Sequence, residues 1–328
     1  MPRPMSRRMA TLGLAALALA LPPVLAASTV PNAIAAAPCK IERQAELPLI
    51  GGPSLMLVAA EINGSPVTMI VDTGAQWTTI TPQTVQRLQL PPDPWNGGLH
   101  RGVGSFSNSV NAVARSFRLG GTAFENRSLS VAPLALGAEI SPPFAGLLGA
   151  DFLYQFDLDI DVPHRTLGLY RNGGCRAGVP AWGNAAVAIP LVKSATNRLN
   201  LAASVDGHPF RAIIDTGASV SLITRPNALR AGVAPESLDR DSAIRGHGLG
   251  TEPVTMRQHV FGEVQIGPER FTRREMAVGG TLLGGGDMLL GLDYLGTRRV
   301  WVSYALRRMF IGAPTAKPGR DDGAPPAR

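Results

Sequence analysis

The sequence predicts an all-β protein in which one lobe is written twice, and three observations carry that prediction. Met69-Ile70-Val71-Asp72-Thr73-Gly74-Ala75 returns as Ala212-Ile213-Ile214-Asp215-Thr216-Gly217-Ala218, 143 residues further on. Each copy follows a hairpin pattern, strand formers broken by Asn63-Gly64 in one and Asp206-Gly207 in the other, pairs that suit a two-residue turn. An aromatic content of 5%, with 37 Gly and 28 Pro in 328 residues, points to turn-rich β structure rather than a helical bundle. The length allows two domains, each with its own core.

Residues 1–37 read as a secretory signal. A basic segment from Arg3 to Arg8 precedes the apolar stretch Leu12 to Leu21, and small residues follow, with cleavage expected between 26 and 37. The apolar run is too short to span a bilayer, so no stable membrane span is expected after cleavage. Ser6-Arg7-Arg8 resembles a twin-arginine signal only faintly, since Ala10 stands where a large apolar residue is expected. The formal charge is +7, and removing Arg3, Arg7 and Arg8 leaves +4. The remaining arginines form no basic run, which argues against a nucleic-acid partner. The expected location is outside the cytoplasm, periplasmic or secreted. Cys39 and Cys175, the only two cysteines, flank the first copy. In an oxidising compartment they would form a disulfide; the alternative is two free thiols. Neither has a second Cys or a His at metal-ligand spacing, so no metal site is expected.

The two copies then run in parallel. Ser54 to Ile62 and Val67 to Val71 read as one hairpin, Leu199 to Val205 and Phe210 to Ile214 as the other, with Pro66 and Pro209 near the start of each second strand. Short strands are expected at Trp77 to Ile80 and Val220 to Ile223. Helix starts follow at Thr81-Pro82 and Thr224-Arg225-Pro226, a Thr cap with Pro in the first turn. Glycine clusters come next, with Gly102 and Gly104 in one copy, Gly246 and Gly248 in the other. Each copy closes on a second shared signature, Leu147-Leu148-Gly149-Ala150-Asp151 and Leu289-Leu290-Gly291-Leu292-Asp293. The unit is roughly 125 residues long. The expected division is a lobe over 38–171, a linker over 172–186, a lobe over 187–312 and a disordered tail over 313–328.

Two lobes that each present an Asp at a turn after a buried strand can bring the carboxylates together about a pseudo-twofold axis. Like charges about 3 Å apart do not both ionise easily, so such a pair shares one proton over a wide pH range. The ionised member can take a proton from a bound water while the protonated member donates to a carbonyl oxygen, which is general acid–base hydrolysis. Thr73 and Thr216 can bond across the axis, and Gly74 and Gly217 are expected because backbone crowds it.

On both Asp-Thr-Gly-Ala segments and both Leu-Leu-Gly-x-Asp segments, the chain resembles the pepsin clan of aspartic proteases, and most closely its bacterial retropepsin-like branch. The resemblance covers roughly residues 47–312. It implies two β-barrel lobes with a cleft between them, Asp72 and Asp215 as catalytic residues, and no cofactor. Thr73, Gly74, Ala75, Thr216, Gly217 and Ala218 would support the pair. Leu147-Leu148-Gly149 and Leu289-Leu290-Gly291 would cross behind the catalytic turns, and the glycine clusters would lie in flaps over a peptide or protein substrate. Both lobes sit on one chain, so a monomer is expected. Pepsin-like enzymes usually carry Ser or Thr where Ala75 and Ala218 stand; without that hydroxyl the pair should titrate higher and work nearer neutral pH.

Other features read as structural. Asp151 and Asp293 also repeat, but their place after the crossing glycine suggests hydrogen bonding within the lobe. Trp77 is expected to pack in the core or against a flap, and His247 to be a surface residue. Gly284-Gly285-Gly286-Asp287 lacks the Lys-Ser/Thr of a phosphate loop, and Ser54 after Gly51-Gly52-Pro53 does not make a nucleophile elbow. The rival readings are a catalytically inactive retropepsin-fold protein that binds a peptide or ligand, and lobes that each pair with a second molecule.

Overall fold

The computed structural model describes residues 39–101, 106–134, 140–183, 187–246, 253–279 and 286–313, all within the unit Pro38–Arg328. The signal segment, the tail beyond 313, and Gly102, Gly104, Gly248 and His247 lie outside the described residues.

In the first half, β1 (Ile41–Pro48) is followed by β2 (Leu57–Ile62) and β3 (Ser65–Val71). Asn63 and Gly64 join β2 to β3 with φ of 51° and 79°, the left-handed pair that matches strand twist in a two-residue turn. Next come β4 (Thr79–Ile80), α1 (Pro82–Leu88), β5 (Pro92–Arg101), β6 (Phe106–Leu119), β7 (Thr122–Val131), β8 (Phe144–Leu148), α2 (Ala150–Leu153), β9 (Asp157–Asp161) and β10 (Thr166–Asn172). The second half opens with β11 (Val187–Pro190), β12 (Val192–Lys193), β13 (Leu199–Val205) and β14 (His208–Ile214). Asp206 and Gly207 make the same turn between β13 and β14, with φ of 47° and 80°. Then follow β15 (Leu222–Ile223), α3 (Arg225–Arg230), α4 (Pro235–Arg240), β16 (Ser242–Gly246), β17 (Val254–Ile266), β18 (Glu269–Val278), β19 (Met288–Leu290), α5 (Leu292–Leu295), β20 (Arg299–Ser303) and β21 (Arg308–Ile311).

Each half curls its own sheet. The first runs β2-β3-β8-β4-β7-β6-β5, and a further β2–β6 pairing draws it into a barrel; the second runs β12-β13-β14-β19-β15-β18-β17-β16, drawn round by β13–β17. Within each sheet the strand that leads into the Asp lies parallel to the Leu-Leu strand, Val71 opposite Leu148 and Ile214 opposite Leu290. Thr81 caps α1 by accepting from Thr84 N at 3.1 Å, and Thr224 caps α3 by accepting from Asn227 N at 3.4 Å.

The halves are joined by a third sheet of six strands, β1-β10-β9-β20-β21-β11. Its strands come from both expected lobes, so β1 and β11 serve the junction rather than the barrels that follow them. β9 is buried along its whole length, and its three carboxylates therefore need partners. Asp159 takes a two-pronged pair from Arg299 of the facing strand, Nε to Oδ1 at 2.9 Å and Nη2 to Oδ2 at 2.6 Å. Asp157 Oδ2 accepts from Ser303 Oγ at 2.7 Å and from Asn172 Nδ2 at 2.9 Å. One continuous apolar cluster links both barrels with this sheet, including Met69, Leu148, Leu158, Ile214, Leu290 and Val300.

Two local expectations are corrected. The expected strands at Trp77 and Val220 begin two residues later, because Thr78 and Ser221 are held in the turn by side-chain bonds to Asp151 and Asp293. Trp77 is 46% exposed and does not pack in the core.

Cys39 and Cys175 form a disulfide, bridging the residues just before β1 and just after β10, which pair with each other. The closed loop spans 136 residues, so in the chain-entropy model the bond removes about 4–5 kcal/mol of unfolded-state freedom. The double substitution Cys39→Ser/Cys175→Ser should lower stability by up to that amount in denaturant unfolding. An unchanged midpoint would show that the bond adds nothing to the β1–β10 edge.

Candidate active site

Asp72 follows β3 and Asp215 follows β14, and both turns lie where the barrels meet. The backbone of each turn is pinned to its own Leu-Leu-Gly segment. Asp72 N donates to Leu148 O at 3.0 Å and Asp215 N to Leu290 O at 3.1 Å. On the far side of each turn, Ala150 N donates to Ala75 O at 2.8 Å and Leu292 N to Ala218 O at 2.9 Å. Gly149 and Gly291 are needed at these crossings. A Cβ on Gly149 would lie 2.6 Å from Trp77 O, and one on Gly291 would lie 2.6 Å from Val220 C.

Across the axis the two turns exchange hydrogen bonds. Thr73 N donates to Thr216 Oγ1 at 3.1 Å, and Thr216 N donates to Thr73 Oγ1 at 3.2 Å. Each hydroxyl then donates onward to the opposite strand, Thr73 Oγ1 to Ile214 O and Thr216 Oγ1 to Val71 O, both at 2.7 Å. Both threonines are buried, so every one of these groups depends on the other barrel for its partner.

The carboxylates are oriented alike. Asp72 Oδ1 accepts from Gly74 N at 2.9 Å and Ala75 N at 2.8 Å; Asp215 Oδ1 accepts from Gly217 N at 3.0 Å and Ala218 N at 3.1 Å. Each carboxyl acts on the ionisation of the other, so the two titrate as a pair. Their closeness gives Gly74 and Gly217 their reason. A Cβ on Gly74 would lie 2.5 Å and 2.7 Å from the oxygens of Asp215, and one on Gly217 would lie 2.6 Å and 2.8 Å from those of Asp72. The expectation that backbone crowds the glycines is thus corrected: the opposite carboxylate does.

Burial raises both carboxyls above the usual range, and four backbone amides pull against it. Asp215 is raised well above its ordinary value, by burial first and then by the charge of Asp72. Neither Ala75 nor Ala218 offers a hydroxyl, so their backbone amides are what they contribute. The arrangement can hold a water against one ionised and one protonated carboxyl, which is the requirement for acid–base attack on a carbonyl.

Asp151 and Asp293 stand outside the pair and fix the crossings. Asp151 Oδ1 accepts from Thr78 N at 2.6 Å and Thr78 Oγ1 at 2.8 Å, and Asp293 Oδ1 accepts from Ser221 N at 2.8 Å and Ser221 Oγ at 2.7 Å. The hydroxyls of Thr78 and Ser221 in turn each accept from the crossing glycine at 3.1 Å. Sequence reading passed over these two hydroxyls, although they repeat at the same interval as the aspartates. β5 pairs with β6 and β16 with β17, and Gly246 ends β16, paired with Val254. Two further groups near the pair, Arg198 and Tyr304, are not repeated and gave no sequence signal.

A family model described as Aspartyl protease matches residues 58–152 and again 201–294. No curated protein sequence matches the chain. Among solved structures, the aspartic proteinase from Irpex lacteus is similar at 12% identity, covering 84% of this chain and 98% of that one with a TM-score of 0.48.

A carboxyl raised by burial binds its proton more tightly when folded than when unfolded, so its ionisation weakens the fold as pH rises above about 4, the unfolded value. Asp215→Asn removes that charge. Thermal melts should show the variant more stable than wild type at neutral pH, with the advantage closing as pH falls toward about 4. Equal melting temperatures throughout would contradict the burial account.

Proposed function

The chain belongs to the aspartyl protease family, and on that premise we propose that it is an aspartic endopeptidase with Asp72 and Asp215 as its catalytic pair. The observation that carries the reading is the meeting of the two turns, which sets each carboxyl within 2.8 Å of where a Cβ on the opposite turn's glycine would lie and orients it by two amides of its own turn. A water between them loses a proton to the ionised carboxylate as its oxygen attacks the peptide carbonyl. The protonated carboxyl gives its proton to the carbonyl oxygen, forming a neutral gem-diol. In the collapse of the diol the protonated carboxyl gives its proton to the leaving nitrogen as the C–N bond breaks, and the ionised one takes a proton from a diol hydroxyl, so the pair again holds one proton and the acid product keeps the other hydroxyl. No covalent bond to the protein forms, and no metal or organic cofactor takes part.

The substrate lies extended between the barrels, its backbone bonding to strand edges and to the β5–β6 and β16–β17 hairpins. One chain supplies both carboxylates, so the active form is a monomer. Export of the chain through residues 1–37 is part of the same reading, and the Cys39–Cys175 bond suits an oxidising compartment.

The test is cleavage of a denatured general protein substrate. Wild type should cut it and be blocked by a peptide inhibitor bearing a secondary alcohol at the scissile position. Asp72→Asn and Asp215→Asn should each lose roughly 10²–10⁴-fold in kcat/KM, the usual scale of acid–base catalysis. Because both carboxyls are raised, both limbs of the pH profile should lie high, with the maximum nearer neutral than pepsin's. A wild type inert from about pH 3 to about pH 8, or a maximum below about pH 3, would overturn the reading.

A further inference from the structure

Among the described residues, Arg198 is a cation outside the repeated motif whose charge acts on the carboxyl pair. Arg198 immediately precedes β13, and continuing the β13–β14 register two steps beyond Asn200 opposite Ile213 sets it opposite Asp215. Residues opposed in an antiparallel pair project to the same face. The loop before β13 holds Arg198 at two points. Its carbonyl accepts from Ser194 N at 2.8 Å, and its Nε donates to Thr196 Oγ1 at 3.0 Å. The side chain is half-buried; it feels the charge of Asp215 first and then that of Asp72, and its own charge pulls Asp72 down. Burial draws the guanidinium down from its ordinary value and the two carboxylates draw it back up; it stays charged.

The internal repeat provides a control. Continuing the β2–β3 register by the same two steps from Leu57 opposite Ile70 sets Leu55 opposite Asp72. The first lobe therefore builds this hairpin with an apolar residue, and the fold does not require a cation there. Arg198 thus stands where the first lobe has a leucine, and its charge acts on the pair.

Few other groups act on the carboxyls. Among the described residues, the turn amides of Gly74, Ala75, Gly217 and Ala218 bond to them. The hydroxyls of Thr73 and Thr216 are engaged with backbone carbonyls. The Tyr304 phenol, just after β20, is pushed up by burial and by the charge of Asp72, so it remains neutral and adds no countercharge.

We propose that Arg198 is a positioning residue for the pair: it holds one negative charge on Asp72 and Asp215, so that they keep sharing a single proton into more acid solution than burial alone would allow. Its effect on catalysis rests on the peptidase reading; its effect on the titration of the pair does not.

The experiment is a titration of the aspartate carboxyls by 13C NMR in wild type, Arg198→Leu and Arg198→Lys, run beside their kcat/KM–pH profiles. Arg198→Leu puts the first lobe's residue in place, and Arg198→Gln serves if that variant does not fold. Losing the cation should move both apparent midpoints of the pair, and the acid limb of the profile, to higher pH; Arg198→Lys should stay near wild type. Unmoved midpoints in Arg198→Leu, or a lysine variant that shifts as far as the leucine one, would overturn the proposal. Shifted midpoints in a protein that cleaves no peptide would support Arg198's role and sink the peptidase reading. Normal cleavage with unmoved midpoints would do the reverse.

Discussion

Everything at the centre of this molecule depends on the exchange of hydrogen bonds between Thr73 and Thr216. Each threonine gives its backbone N–H to the other's hydroxyl, and each hydroxyl passes its own proton to a carbonyl of the opposite strand. The groups are buried, so removing either hydroxyl leaves several polar atoms unpaired, at a cost of about 1–3 kcal/mol each. The exchange works only when both turns lie at one height on one axis. That height also sets Asp72 against Asp215 and leaves no room for a Cβ at Gly74 or Gly217.

The rest of the fold holds those turns still. Each Asp turn is bounded on one side by the carbonyl of its Leu-Leu strand and on the other by the short helix after the crossing glycine. Asp151 and Asp293 lock the crossings through Thr78 and Ser221. Beneath them, the six-stranded sheet joins the halves through the β9–β20 pair and the Asp159–Arg299 fork. Arg299 is partly exposed, so this ion pair is weak evidence of stability, but it ties together facing strands from the two halves.

What the sequence disclosed follows from the repeat. Asp72 and Asp215, their turn residues and the two hairpin turns recur at an interval of 143, and the Leu-Leu-Gly crossings one residue short of it, so each copy confirmed the other. Thr78 and Ser221 recur too, yet a hydroxyl next to strand formers looks like any strand residue until its carboxylate partner is known. That β9, β10, β20 and β21 join in one sheet was illegible for a different reason. Asp157, Asp159 and Asp161 alternate with Leu158 and Ile160 like a strand with one wet face, but β20 and β10 flank them and all five residues are buried. Their partners Arg299 and Ser303 come from the far end of the chain. Arg198 was hidden because it breaks the repeat, and its place beside the pair emerges only from the β13–β14 register. Of the two places expected for Trp77, its exposure excludes the core.

The central claim is that one chain carries both halves of one acid–base site. Its most direct measurement is calorimetric titration of the protein with a peptide inhibitor that presents a secondary alcohol to the pair, with the mass of the complex determined in the same solution. The account predicts one inhibitor per single chain, with binding lost on replacing either Asp72 or Asp215 by alanine. One inhibitor per two chains, or binding indifferent to the loss of either carboxylate, would contradict it.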